Sequence, residues 1–238
     1  MVVEINPLDL KEFKMQIDGF RRFLPYAGIL CMISLVAAFV LGGTTPQDGS
    51  TASEFLNYYK DNQTAHILSN FVFANLFSVF LLMFATEIRA TLRSGEAGES
   101  IYASLAYAGA IATAVAISVG GMISVAAGSA ANDGFSAATL ALGELAAYSF
   151  IPWMVGAAAL FLAVGIGGLK TATLPKWLSW ITVVMGVLCF TPGGIAVFMF
   201  QPVWFVLAAV VLVRRQTASA KVSNSSGATQ QSAPVPAT

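Results

Sequence analysis

The chain has 238 residues, of which 57% are hydrophobic and only 10% charged, and its mean hydropathy is +0.75. A soluble domain carries about 25% charged residues, so this composition describes a membrane protein, long enough for one domain of several spans. Twelve Lys and Arg stand against twelve Asp and Glu, which excludes a strongly basic nucleic-acid binder and a highly charged disordered chain.

Residues 1–24 form a cytoplasmic amphipathic segment. Leu10, Phe13, Ile17, Phe20 and Leu24 recur at helical spacing, with Lys11, Glu12, Lys14, Asp18, Arg21 and Arg22 around them. Such a helix either lies on the cytoplasmic leaflet or docks on the protein's own cytoplasmic ends. The first span follows at 25–43, closed by Gly42-Gly43. A bilayer core of about 30 Å needs about 20 apolar residues. The basic residues before it also suit a signal peptide. Its apolar run exceeds an ordinary h-region and no A-x-A site follows, which predicts a retained span.

The outer loop 44–66 is the one sizeable loop on its side. Thr51-Ala52-Ser53-Glu54 reads as a capping box opening a short helix from Ser53 to Lys60. Phe55, Leu56, Tyr58 and Tyr59 give that helix an apolar face. The face covers the outer mouth of the bundle, meets a partner, or anchors the helix in the interface.

The second span is 67–88, with Glu87, Arg89 and Arg93 expected to snorkel at its inner end. The third, 101–128, carries small residues at every fourth position: Ala108, Ala112, Ala116, Gly120, Ser124 and Gly128. The spacing predicts a helix-packing face of the G-x-x-x-G kind. The fourth span, placed at 145–169, offers Ala159, Ala163 and Gly167 in the same spacing. The short loop at Asn132-Asp133-Gly134 makes spans three and four antiparallel neighbours, and Pro152 predicts a kink beside Trp153. The stretch 177–213 is too long for one span and short for two. Thr191-Pro192-Gly193-Gly194 at its middle predicts a tight turn, dividing it into 177–192 and 195–213. Beyond Arg214 and Arg215, residues 216–238 are mainly Ser, Ala, Thr, Gln and Pro with one Lys and no periodicity, which predicts a disordered cytoplasmic tail over 214–238.

Positive residues concentrate in cytoplasmic loops. Six spans within 25–213 put every Lys and Arg but Lys60 on one side. That side then carries eleven cations and seven acids, a balance of +4, and the other a balance of −4. The expected fold is therefore all-α: a polytopic bundle of six transmembrane helices, both termini cytoplasmic, preceded by an amphipathic interfacial helix. The expected location is the cytoplasmic (inner) membrane of a bacterium.

The sequence has one histidine, His66, and two cysteines, Cys31 and Cys189, with neither C-x-x-C nor H-E-x-x-H. Zinc-ribbon, zincin, redox-motif and bis-histidine haem chemistries are excluded. Paired carboxylates within the spans are also lacking, so the reading assigns no catalytic, cofactor-binding or metal residue, no cofactor and no enzyme activity. Polar groups at depth are the default functional candidates. They are Asn75, nine residues below His66, and Glu144 beside the Pro152 kink, with His66 at the outer end of span two. These three could line an outward ligand cavity. Two functions follow: a non-enzymatic subunit or partner-binding module of a membrane complex, or a carrier or binder of a small apolar or lipid-like molecule. The partners implied are membrane lipids, another membrane subunit or a second copy of the chain, and no nucleic acid.

Tyr58-Tyr59-Lys60-Asp61-Asn62, Glu87-Ile88-Arg89 after Phe84, and Leu174-Pro175-Lys176-Trp177-Leu178-Ser179-Trp180 carry a family resemblance. Over roughly 25–215 the chain resembles uncharacterised polytopic membrane proteins of actinobacteria and related bacteria, grouped as a domain of unknown function. The resemblance implies the topology and no activity.

Overall fold

The computed structural model describes residues 19–43, 46, 50–96, 98 and 100–231, with side chains as far as residue 218. Among these residues the chain is helix and turn only. In order come α1 (Gly19–Gly42), α2 (Ala52–Asp61), α3 (Gln63–Arg93), α4 (Ile101–Asn132), α5 (Ser136–Ala147), α6 (Phe150–Thr171), α7 (Lys176–Leu188) and α8 (Gly194–Gln231). Helices α1, α3 and α4, the α5–α6 pair and α8 are long and apolar enough to cross a membrane, whereas α7 is apolar but short. The fold is a polytopic helix bundle. Of the amphipathic segment 8–24, residues 8–18 lie outside the described residues, and the remainder runs straight into α1.

Contacts between glycines and side chains fix the order of packing. Gly28 near the start of α1 faces the Phe84 ring, and Gly42 at its end faces Ser69, so α1 and α3 run antiparallel. Ser69 Oγ donates to the Ala38 carbonyl at 2.7 Å across this pair. Ser78 Oγ of α3 donates to the Ala114 carbonyl of α4 at 3.0 Å. Helices α4 and α6 meet most closely where Gly109 lies against Leu160 N and Gly156 O, and Gly156 against Thr113 N.

The small-residue row of α4 is only partly its packing face. Ala116, Gly120, Ser124 and Gly128 are buried, but Ala108 and Ala112 are exposed. A stride of four overshoots the 3.6-residue turn by about 40° each time, so the row winds off the interface. The buried positions alternate strides of three and four instead: Ala103, Ala106, Ala110, Thr113, then Gly120, Ser124, Ala127 and Ala131.

The fourth span is two helices rather than the continuous 145–169. Helix α5 ends at Ala147, Tyr148 and Ser149 turn, and α6 starts at Phe150. Pro152 sits in the first turn of α6, where N–H groups have no intrahelical acceptor. Its ring would clash with the carbonyl four residues back, so the chain breaks upstream instead of kinking at the proline.

Helices α7 and α8 form a hairpin. The turn is the expected one: Gly194 N–H donates to Thr191 O at 2.9 Å, and Gly193 N–H donates to Thr191 Oγ1 at 3.1 Å. The helical part of span 177–192 stops at Leu188. Its 13 residues reach only about 20 Å. Helix α7 lies antiparallel to α6, with Gly165 against Val183, Gly168 against Ser179 and Gly186 against Leu162. The hairpin tip at Gly194 reaches Met154, one turn below the start of α6. Trp204 of α8 donates its Nε1–H to Thr182 Oγ1 of α7 at 2.8 Å and joins Phe84, Phe161 and Phe205 in edge-on aromatic contacts at the bundle centre.

Helix α8 continues to Gln231, well past Gln216, where the composition predicts an irregular tail. No proline falls between Pro202 and Pro234, and extending an existing helix adds a hydrogen bond for each residue fixed. Near this level the basic chain ends converge. Arg215 donates to the Thr173 carbonyl, and Gln216 Nε2 donates to Glu87 Oε1 at 3.0 Å and to the Arg21 carbonyl at 3.3 Å. Glu87 is thus buried in a helix contact and does not snorkel.

Candidate functional site

The opposite end of the bundle is capped by α2. The capping box is formed as expected: Glu54 N–H donates to Thr51 Oγ1 at 3.3 Å, and Thr51 N–H donates to Glu54 Oε2 at 2.6 Å. Phe55 and Tyr59, four apart, share the inner face of α2 and are buried against Ala127 and Ala131 of α4. Gly143 of α5 admits the Phe55 ring, because a Cβ there would stand 2.6 Å from it. Tyr58 O–H donates to the Gly42 carbonyl at 2.7 Å, tying the cap to the end of α1. Of the three roles open to the aromatic face of α2, the structure shows the first: it covers the mouth. Replacing Thr51 by alanine removes the Oγ1 acceptor of the Glu54 N–H and keeps the backbone N–H that donates to the Glu54 carboxylate. We expect a loss of about 1 kcal/mol, read as faster amide exchange across α2 with the rest of the bundle unchanged.

Burial raises the phenol of Tyr58 to about 12, with the neighbouring Tyr59 adding to the effect. Burial raises Tyr59 as well, partly offset by its hydrogen bond with Ser124. Both phenols are therefore neutral at ordinary pH.

Beneath the cap, α3 departs from α-geometry. Ile67–Phe73 is a π-helix, and Ala74 N–H reaches back five residues to the Ser69 carbonyl. Such wide turns are rare and cluster at functional sites. The widened turn brings the Asn70 carbonyl onto Gly121, where a Cβ would stand 2.4 Å from the oxygen. The α5–α6 break meets the next residue along, with Ser149 against Gly120 at 2.7 Å on the same measure. The Asn70 carbonyl of the π segment and the Ser149 side chain at the α5–α6 break are thus seated on adjacent glycines of α4.

Between them lies a cavity of about 360 Å³, within the range of small-molecule sites. Leu35, Ala38 and Phe39 of α1 line it, with Ala116, Ile117, Gly120, Gly121 and Ser124 of α4 and Ala146, Phe150 and Trp153 of α5–α6. The cap adds Phe55 and Tyr59, the π segment Ser69 and Asn70, and α8 Phe198. No Asp, Glu, Lys or Arg is among the described lining residues. The space exists because α4 and α5 present alanine, glycine and serine where larger side chains would fill it. Phe39, Gly43, Ala147 and Phe150 line the cavity and are also exposed, so its mouth opens sideways between the end of α1 and the start of α6. Phe198 of α8 packs edge-on against Phe39 at 5.0 Å and against Trp153 at 4.7 Å beside that mouth.

His66 is the polar centre. It is buried, stacked on Tyr59 at 4.5 Å and edge-on to Tyr58 at 5.1 Å. Asn70 Nδ2 approaches both the His66 carbonyl, at 3.3 Å, and His66 Nδ1, at 2.9 Å. A carbonyl only accepts, so the amide nitrogen lies on this side, and Nδ1 is an acceptor. The ring proton of the neutral imidazole then sits on Nε2. That N–H and the indole N–H of Trp153 are buried with no partner among the described residues.

Of the three sequence candidates, only His66 reaches the cavity. Asn75 bonds its own helix at the Phe71 carbonyl, and Glu144 is exposed on α5. Rotation about the helix axis points Asn75 and Glu144 away from the cavity. Asn70 was not singled out, Tyr59 was read only as part of the apolar face of the cap, and Trp153 only as the neighbour of the proline. The His66/Asn70 spacing of four was a readable signal, whereas nothing local marks the tertiary approach of Tyr59 and Trp153. Among the described residues no three His, Cys, Asp or Glu side chains gather as a metal site. No family model, curated protein or solved structure matches the chain, so the functional reading stands on this geometry.

Proposed function

We propose that this membrane protein binds a small apolar or lipid-like molecule in the capped cavity and acts as its carrier or holder, without catalysing a reaction. The observation behind the reading is the cavity itself: uncharged, walled by small and aromatic side chains, and open sideways at the mouth. The positive-inside rule assigns the basic end to the cytoplasm. The cavity then faces the outer leaflet of the cytoplasmic membrane, and membrane lipids are the accessible ligands. The alternative role as a subunit of a larger complex rests on composition and topology alone, and the cavity favours the binder.

Native mass spectrometry of the full chain, released from its membrane in mild detergent, tests the proposal. We expect one apolar molecule retained per protomer. A protomer that carries no ligand and takes up none when offered would overturn the reading, and so would a stable co-purifying protein chain with the cavity empty.

A further inference from the structure

We infer that the cavity selects a neutral, single-chain or ring-sized amphiphile whose carbonyl or ether oxygen accepts a hydrogen bond from His66 Nε2–H. This deepens the binding role proposed above and rests on it. Three observations narrow the ligand. The first is charge. No ionised side chain is found among the described lining residues, and an ion taken out of water without a partner is strongly disfavoured. The second is size. A water occupies about 30 Å³ of liquid, so 360 Å³ holds roughly a dozen water-sized groups. That is one chain or ring system inside the cavity, and a second acyl chain would have to stay outside the mouth.

The third is the pair of unused donors. The Asn70 amide commits His66 Nδ1 as acceptor, which leaves Nε2–H to donate. His66 and Trp153 both line the cavity, and both ring N–H groups are buried without an acceptor among the described residues. Buried donors are nearly always paired, and an oxygen on the ligand would satisfy one or both. Apart from Tyr59, Ser69, Asn70, Ser124 and Ser149, the wall is apolar and suits a hydrocarbon tail, which leaves through the mouth framed by Phe39 and Phe150.

The full chain, stripped of endogenous lipid in maltoside micelles, is offered methyl laurate, pentadecane or laurate. Retention is read by native mass spectrometry. The ester and the alkane are close in size and differ in acceptor oxygens; laurate carries the charge. Methyl laurate should be held roughly tenfold more tightly than pentadecane, because the alkane leaves the donors unpaired. Laurate should bind weakest. His66→Phe and Trp153→Phe keep an aromatic ring and remove the N–H. At least one should bring the ester and the alkane toward parity while leaving pentadecane retention intact. The comparison on the unmodified protein decides the matter even if a variant fails to fold. Equal retention of ester and alkane, or a preference for laurate, overturns the inference and leaves cavity binding standing. Retention of none of the three overturns the binding role itself.

Discussion

Gly156→Leu is expected to keep the bundle from closing, at a cost of more than about 3 kcal/mol. A Cβ at Gly156 would stand 2.5 Å from Thr113 N, and one at Gly109 2.4 Å from Leu160 N. The obstruction in each case is backbone, which cannot rotate away as a side-chain tip can. Helix association in a bilayer depends on close van der Waals packing, since lipid tails are as apolar as leucine. Separating α4 from α6 would therefore remove the contacts that hold the centre of the fold. The measurement is the denaturant midpoint in detergent, together with the fraction of protein that elutes as a single species. Ala112→Leu is the control. It lies on the stride-of-four row, yet its side chain is exposed, and we expect little change. Similar losses in both variants would show that the α4–α6 approach is not where the structure puts it.

Ala146→Phe is expected to lower ligand retention by tenfold or more while leaving the unfolding midpoint unchanged or slightly raised. Ala146 lines the cavity from α5 and is half-buried. A phenyl ring there projects into space that is already open, so no neighbour has to move. Filling a void removes the cost of an unpacked wall, while the volume it occupies is lost to the ligand. The two effects have opposite signs, which separates occlusion from unfolding. Native mass spectrometry with methyl laurate reads the first and a denaturant titration the second. Undiminished retention in a folded Ala146→Phe protein would place the ligand outside this cavity.

Local chemistry was legible where a feature is decided within a few residues. The capping box at Thr51 and Glu54 and the turn at Thr191–Gly194 formed at the positions read from sequence. Pro152 marked a disruption correctly, although the chain resolved it as a break at Tyr148 and Ser149. Features that depend on rotation about a helix axis were not legible. Ala108 and Ala112 share the spacing of Gly120 and Ser124 but point outward, because the stride of four drifts. Asn75 and Glu144 were expected to line a cavity and lie off it. Nor did the residues of 67–73 announce a π-helix. Its widened turn accompanies the seat that Gly121 offers to the Asn70 carbonyl, a contact between distant parts of the chain.

Neutrality of the whole chain conceals the asymmetry expected from the predicted spans, which sort the cations to one side. Composition, apolar run length and the placement of Lys and Arg determined the class of protein and the order of its spans, because transfer into a bilayer depends on each segment's own side chains. The cavity was decided only in three dimensions. It needs α2 folded over the bundle, the Asn70 carbonyl and the Ser149 side chain seated on Gly121 and Gly120, and a hairpin that stops beside Met154. A void is defined by what surrounds it, and those surroundings come from seven separate helices whose approach no local pattern records.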